Sequence, residues 1–320
     1  MGRSPSSSSS SSLSSSLPLF FFSFAQVRKA EGKVVLITGC DKGFGHALAR
    51  HLHSRGFTVF AGCLLKDQGG DGARALASLR SERLRVLQLD ICRQEEVDRA
   101  LSLVQESLEE PQQGLWGLVN NAGVTSFGEV EFTNLDGYRE VAEVNLWGAI
   151  RVTKAFLPLV RRAKGRVVNL TSALGRVASP LRSSYCISKF GLEAFTDCLR
   201  QEMRPWGVAV VAVEPSNYIA ATGIFTEEGV EAAAQEMWGR ASEGVRADYG
   251  EASFQQQVAR MKAFVRSGLS DLSPVLDDIT DALLARLPYA RYNPMEPRWW
   301  LRLQAVTHLP SLLTDWLYAN

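Results

Sequence analysis

Beyond Gly32 the chain alternates short apolar runs with amphipathic stretches. Val34-Val35-Leu36-Ile37 is apolar at every position, as a central parallel strand buried on both faces requires. Helical spacing follows over His46–Arg55, then a strand over Thr58–Gly62 and a helix over Gly72–Ser81. Leu84–Leu89 is a third strand stopped by Asp90, Glu95–Leu108 a well-patterned helix, and Leu115–Val119 a fourth strand. A helix carrying Val144-Asn145-Leu146 precedes a strand over Arg166–Thr171. A helix from Ser183 to about Arg204 and a sixth strand, Trp206–Val213, follow. Strand–crossover units in this succession predict an α/β fold with a doubly wound parallel sheet.

The pattern then changes. Phe225–Gly268 is rich in Glu, Gln, Ala and Met at helical spacing and predicts two helices. An insertion there, about 223–272, makes a helical lid over the carboxyl ends of the strands, where ligands bind. A plain surface excursion or oligomer contact is the alternative. Pro274–Leu287 predicts one more amphipathic helix and Ala290-Arg291-Tyr292 an edge strand. The end of the chain, 298–320, clusters tryptophans, arginines and leucines. That mixture suits a membrane–water interface or packing onto protein. Residues 1–32 are serine-rich, and their apolar run Leu17–Phe24 is too short to span a bilayer. With no acid before Glu31 they have the charge of an organelle-targeting presequence, although arginine is sparse; a secretory signal or a disordered tail are the alternatives. The expected division is therefore 1–32, a catalytic domain over 33–297, and the 298–320 segment.

Composition adds mainly exclusions. A net charge of +1 and 46% hydrophobic residues over 320 residues give no reason to invoke nucleic acid. The five cysteines are scattered without CxxC or His/Cys spacing, which points to a reducing compartment and no metal.

The first strand ends in Thr38-Gly39-Cys40-Asp41-Lys42-Gly43-Phe44-Gly45. Strand, glycine-rich turn and helix bring backbone N–H groups to where a pyrophosphate docks. Asp90, at a strand end, can accept from an adenine amino group or cap the next helix. Asn120-Asn121-Ala122-Gly123 closes the fourth strand. Asn145 is a carboxamide in an apolar helix, fit for a polar relay or a local kink. Tyr185 and Lys189 lie one helical turn apart, so the ammonium is expected to lower the phenol's pKa and make it an acid/base for a carbinol. Ser172, at the preceding strand end, can hydrogen-bond the reacting oxygen.

In this order the glycine-rich turn, Asn-Asn-Ala-Gly, the helix Asn145, Ser172 and Tyr185-x-x-x-Lys189 resemble the short-chain dehydrogenase/reductase family over about Lys33–Tyr292. The resemblance implies a Rossmann fold, with Tyr185 as proton acceptor, Lys189 as its partner and ribose contact, Ser172 on the substrate oxygen and Asn145 as anchor of a proton relay. It implies a dinucleotide along Gly39, Asp41, Lys42, Gly43, Phe44, Gly45, Asp90, Asn121, Ala122, Gly123, Tyr185, Lys189, Pro215 and Ile219. NAD is the implied cofactor, with NADP left open by Lys42, a place where a basic residue often meets a 2′-phosphate. The implied activity is interconversion of (R)-3-hydroxybutyrate and acetoacetate, with phosphatidylcholine as an activator. The implied setting is a homo-oligomer, a tetramer, on the matrix side of the mitochondrial inner membrane, the endoplasmic reticulum being the alternative. Such an acid needs a cation, for which Arg182 stands three residues before Tyr185, with Arg176 as second candidate; Asn217 is a further substrate contact. Two rivals remain: a retinol or steroid dehydrogenase, and a non-catalytic dinucleotide-binding scaffold, which has no use for a tuned phenol.

Overall fold

The apolar runs pair in parallel register. In the computed structural model, which describes residues 28–108, 113–310 and 312–314, β1 (Val34–Thr38) lies between β2 (Thr58–Cys63) and β4 (Gly117–Asn120). With β3 (Leu84–Gln88), β5 (Arg166–Leu170), β6 (Ala209–Val213) and β7 (Arg291–Tyr292) the sheet order is β3-β2-β1-β4-β5-β6-β7. The order reverses between β1 and β4, and there the sheet opens a crevice at its carboxyl edge.

Side chains alternate across the pleat. Val35 and Ile37 join a core with α1 (Gly43–Ser54), α2 (Asp71–Ala77) and α11, the helix at Ser273–Leu284. Val34 and Leu36 face the opposite core, with α3 (Gln94–Glu106), α5 (Ala149–Arg162) and α6 (Ser183–Met203). Leu48, Leu52, Val275 and Ile279 are wholly buried in the first core, and covering each is worth roughly 1.5–3 kcal/mol. Residues 28–32 pack onto this fold: Arg28 donates its backbone N–H to Leu284 O, and Ala30 is buried. The serine-rich stretch and the last residues of the aromatic segment lie outside the described residues.

Two expectations are corrected. The sixth strand begins at Ala209 because Arg204–Trp206 closes α6 as a 3₁₀ turn containing Pro205, and Gly207 at φ +70° reverses the chain. The lid has three main helices rather than two: α8 (Glu227–Arg240), α9 (Glu243–Tyr249) and α10 (Glu251–Val265). Ser242 caps α9 by accepting from Val245 N, and Gly250 at φ +73° ends it. A short α7 (Ile219–Thr222) leads in, and Phe132, Trp238, Tyr249 and Phe254 stack into a core of the lid's own. Helix α4 (Leu135–Ala142) passes into α5 through a π-helical turn, Glu143–Gly148, which contains Asn145. After β7 comes α12 (Pro297–His308). No helix among the described residues is long and apolar enough to cross a membrane.

Polar groups also cross the core. Asn120 donates through Nδ2 to Thr153 Oγ1 (2.9 Å) and Asn169 Oδ1 (2.8 Å), and Asn169 donates to Thr196 Oγ1 (2.8 Å). Asn120→Ala leaves Asn169 Oδ1 without its donor, so urea unfolding of the variant should show a loss of about 1–3 kcal/mol.

Candidate active site

The glycine-rich turn is shaped by close approach. A Cβ on Gly45 would stand 2.3 Å from Gly39 O and 2.4 Å from Asn121 Nδ2, and one on Gly39 would meet Ala122 Cα at 2.7 Å. Gly39 and Gly43 adopt φ +71° and +59°. Lys42, the N-cap of α1, makes no side-chain cap, so N–H groups of the first turn stay available to an anion. The donor set suits a pyrophosphate. Asp41 accepts from Leu64 N (2.8 Å) and Leu65 N (3.0 Å), tying the turn to the end of β2. Lys42 Nζ donates to Gly223 O at 2.6 Å, a lid carbonyl.

Asn121 lines the cavity and also holds the turn itself. Its Nδ2 donates to Thr38 O (2.7 Å) and Gly39 O (3.0 Å), while Thr38 Oγ1 accepts from the N–H groups of Asn121 and Ala122. It braces the turn. Asp90 Oδ1 accepts from Cys92 N (2.9 Å), a local turn at the end of β3. Phe44, Asn121, Gly123, Pro215 and Ile219 line a cavity of about 370 Å³ that continues to Ser172, Tyr185 and Lys189.

At the catalytic end, Ser172 closes β5 and accepts from Leu174 N (3.1 Å). Lys189 is 5% exposed and donates through Nζ to Leu170 O (2.8 Å), 5.8 Å from the Tyr185 ring centre. Asn145 uses the π turn to face this site: Nδ2 donates to Val124 O (2.9 Å) and Ser188 Oγ (3.0 Å), and Oδ1 accepts from Val124 N (2.8 Å). The π turn is a local kink of the kind expected at Asn145, and its carboxamide is engaged on three hydrogen bonds. Ser188 donates in turn to Tyr185 O (2.7 Å), a partner the motif alone does not reveal.

The expected net lowering of the phenol's pKa is not what the geometry gives, whatever the ammonium contributes. Burial raises the Tyr185 pKa, with Arg182 and a hydrogen bond from Ser172 opposing it. Burial also lowers Lys189 to about 8, against the nearby Glu193 carboxylate. In this dry cavity desolvation outweighs the ammonium one turn away.

Arg182 is 8% exposed and lines the cavity. Leu181 before it adopts φ +64°, a strained conformation for a leucine. The guanidinium stacks between Tyr185 (5.1 Å) and Phe264 of α10 (5.8 Å), and Nη2 donates to Thr125 Oγ1 (2.6 Å). Among the described residues no carboxylate pairs with it. Arg176, the second candidate, is committed to Glu214 at 3.2 Å. Asn217 reaches the cavity wall, but its amide donates to Ser267 Oγ (3.0 Å) and its Oδ1 accepts from Ile219 N (3.2 Å), so it pins the lid.

Comparison with known proteins agrees with this geometry. The family model described as short chain dehydrogenase matches residues 33–231. The chain is 56% identical over 296 residues to the mitochondrial D-beta-hydroxybutyrate dehydrogenase of Rattus norvegicus, covering 92% of this chain and 86% of that one. It is 40% identical over 301 residues to retinol dehydrogenase 16 of Mus musculus, covering 93% and 91%. A short-chain dehydrogenase structure from Streptomyces avermitilis superposes with TM-score 0.70 at 25% identity, covering 90% of this chain and 96% of that one.

Tyr185→Phe removes only the hydroxyl that Ser172 meets. The turnover rate should fall by roughly 10²–10⁴-fold with dinucleotide affinity unchanged; retention of more than about half the rate would exclude Tyr185 as the acid/base.

Proposed function

The chain belongs to the short chain dehydrogenase family, and we propose that it interconverts (R)-3-hydroxybutyrate and acetoacetate, with NAD as the preferred dinucleotide. Hydride transfer is the chemistry that a dinucleotide bound along Gly39–Gly45, Gly123, Pro215 and Ile219 supplies. Tyr185 takes the carbinol proton, Ser172 donates to the reacting oxygen, and Lys189 favours the phenolate. Asn145 keeps Ser188 and the Val124 backbone fixed behind them.

The observation that carries the substrate is Arg182. A buried guanidinium with no acidic partner among the described residues, in the same cavity as the phenol, is costly unless something anionic arrives. A short 3-hydroxy acid brings that anion, and the planar fork takes both carboxylate oxygens at once. A retinoid or steroid brings none. The higher identity to the hydroxybutyrate enzyme than to the retinol enzyme supports the same choice, as its name supports a mitochondrial location.

Preference for NAD is supported at the end of β2. The Asp41 carboxylate sits on the amides of Leu64 and Leu65 and would repel a 2′-phosphate there, while Lys42 is engaged by Gly223. For lipid, α12 carries Trp299 in the cavity wall and exposes Trp300 and Leu301 beside Arg298 and Arg302. A phosphatidylcholine surface holding this helix would steady the cavity. Exposed Trp147, Ile187 and Phe190 support a homo-oligomer, a tetramer.

Arg182→Met keeps length and loses charge. It should raise KM for hydroxybutyrate on the order of 10²-fold, the equivalent of about 2–3 kcal/mol; a KM within about twofold of wild type would remove Arg182 from the site. In a second assay, lipid-free protein should gain activity on addition of phosphatidylcholine vesicles. Truncation after Pro297 should abolish that gain; full lipid-free activity, unchanged by truncation, would assign α12 to packing alone.

A further inference from the structure

Behind Lys189 lies a group of charges that the mechanism above leaves unused. Glu193 follows Lys189 by four residues as Lys189 follows Tyr185, so the three share one face of α6. Glu193 is 5% exposed. Its Oε2 accepts from Arg291 Nη2 at 3.2 Å. Beside its carboxylate stands the Thr171 hydroxyl, which donates to Val213 O (3.0 Å) and also helps to hold the Glu193 pKa down. A carboxylate at such depth is held by charge, and each element packed against it supplies some. From β7, Arg291 divides its guanidinium among Glu193, Asp197 (2.7 Å) and Glu214 (2.9 Å). Glu214, at the end of β6, is also met by Arg176 from the turn after Ser172 (3.2 Å) and by Asn293 (2.7 Å). Asp197, on α6 itself, is met by Arg200 (2.8 Å). Lys189 is the remaining cation: its Nζ donates to Leu170 O, and Glu193, one turn on, is the acid whose charge acts on it.

We propose that Glu193 is a positioning residue for proton transfer, its carboxylate keeping the Lys189 ammonium charged beneath Tyr185. The turn carrying Ser172 is held to the same face: a Cβ on Gly175 would meet Lys189 O at 3.0 Å and Glu193 Cγ at 3.1 Å. Glycine there brings Ser172, Lys189 and Glu193 into contact as one unit. Burial and Glu214 push Glu193 up to about 7, and burial pushes Lys189 down to about 8. Near neutral pH, then, the lysine's charge depends on the glutamate's. Alcohol oxidation needs the phenolate, so its rate climbs with pH as Tyr185 loses its proton. Without Glu193 the lysine goes neutral at a lower pH, the phenol holds its proton longer, and the climb moves to higher pH. The inference rests on Tyr185 and Lys189 being the acid/base pair.

The test is the full-length protein labelled with ¹³Cε-lysine, with the Lys189 resonance assigned by its loss in Lys189→Met. Glu193→Gln removes the charge and keeps the shape. The Lys189 titration midpoint should fall by about 1 pH unit or more, and the acid limb of kcat/KM for hydroxybutyrate oxidation should rise by a similar amount. Glu193→Met, which buries no unpaired amide, should give the same midpoint shift and serves if the glutamine variant does not fold. A midpoint within about 0.3 unit of wild type in a folded variant overturns the proposal, whatever happens to the rate. The two readings fail separately. If Tyr185→Phe abolishes turnover while Glu193→Gln leaves the midpoint unmoved, Glu193 alone is wrongly assigned. If the midpoint moves but Tyr185→Phe is fully active, the charge coupling stands and the acid/base assignment falls.

Discussion

The contact between two turns, one ending β1 and the other β4, is what the site depends on. These strands are neighbours in the sheet, yet the chain leaves them toward opposite faces. A Cβ at Gly39 would already overlap Ala122, and the Asn121 amide holds two carbonyls of the first turn from the second. Thr38 closes the loop by accepting two amides back. With the turns locked together, the N-terminus of α1 and the wall leading to Tyr185 become sides of a single crevice. Any side chain larger than hydrogen at Gly39 or Gly45 forces them apart.

Beyond that crevice α6 does something helices seldom do: it buries charge on its inner face. Lys189 and Glu193 are near the limit of burial, with Arg182 at the helix start equally enclosed. Isolated, the lysine and the glutamate would shed their charge rather than stay dry. They persist because partners are dealt out in sequence, Leu170 O and Glu193 for the lysine, Arg291 for the glutamate. Arg182 lacks such a partner and has only ring faces and one hydroxyl. In a series where charges are otherwise answered within the protein, the unanswered one marks where a ligand belongs.

Much of this was legible in the residues. The doubly wound sheet follows from all-apolar strands separated by amphipathic crossovers, and Ser172, Tyr185, Lys189 and Asn145 declare themselves by type and spacing. What escaped was chemistry that needs the third dimension. Nothing local shows that the Asn121 amide, besides lining the cavity, will also hold the Thr38 and Gly39 carbonyls. The phenol's pKa was misjudged because spacing locates the ammonium but not the loss of water around both groups. The lid's third helix was missed although Ser242 and Gly250 spell a cap and a stop, signals diluted by the helix-forming residues around them. Glu193 stood in view at the same four-residue interval. Its meaning depends on Arg291, Glu214 and Arg176, which arrive from three distant places in the chain.

Why the lid should sit over the arginine follows from electrostatics. Phe264 on α10 covers the guanidinium face opposite Tyr185, and Trp299 on α12 adds to the same wall. A carboxylate meeting Arg182 in open solvent would gain little, since water screens the pair at close range. Beneath aromatic rings the same contact is worth several times more, and it draws strength only while the rings stay in place. Lid closure and anion binding therefore reinforce each other. On the proposed assignment, a carboxylate satisfying Arg182 would favour the lid where it stands, and the lid would strengthen the carboxylate's hold by excluding water. An apolar alcohol filling the same space would leave the guanidinium buried and unpaired under a closed lid, so its binding would work against closure. The cavity's selectivity thus lies as much in the cost it imposes on neutral substrates as in the attraction it offers to acids.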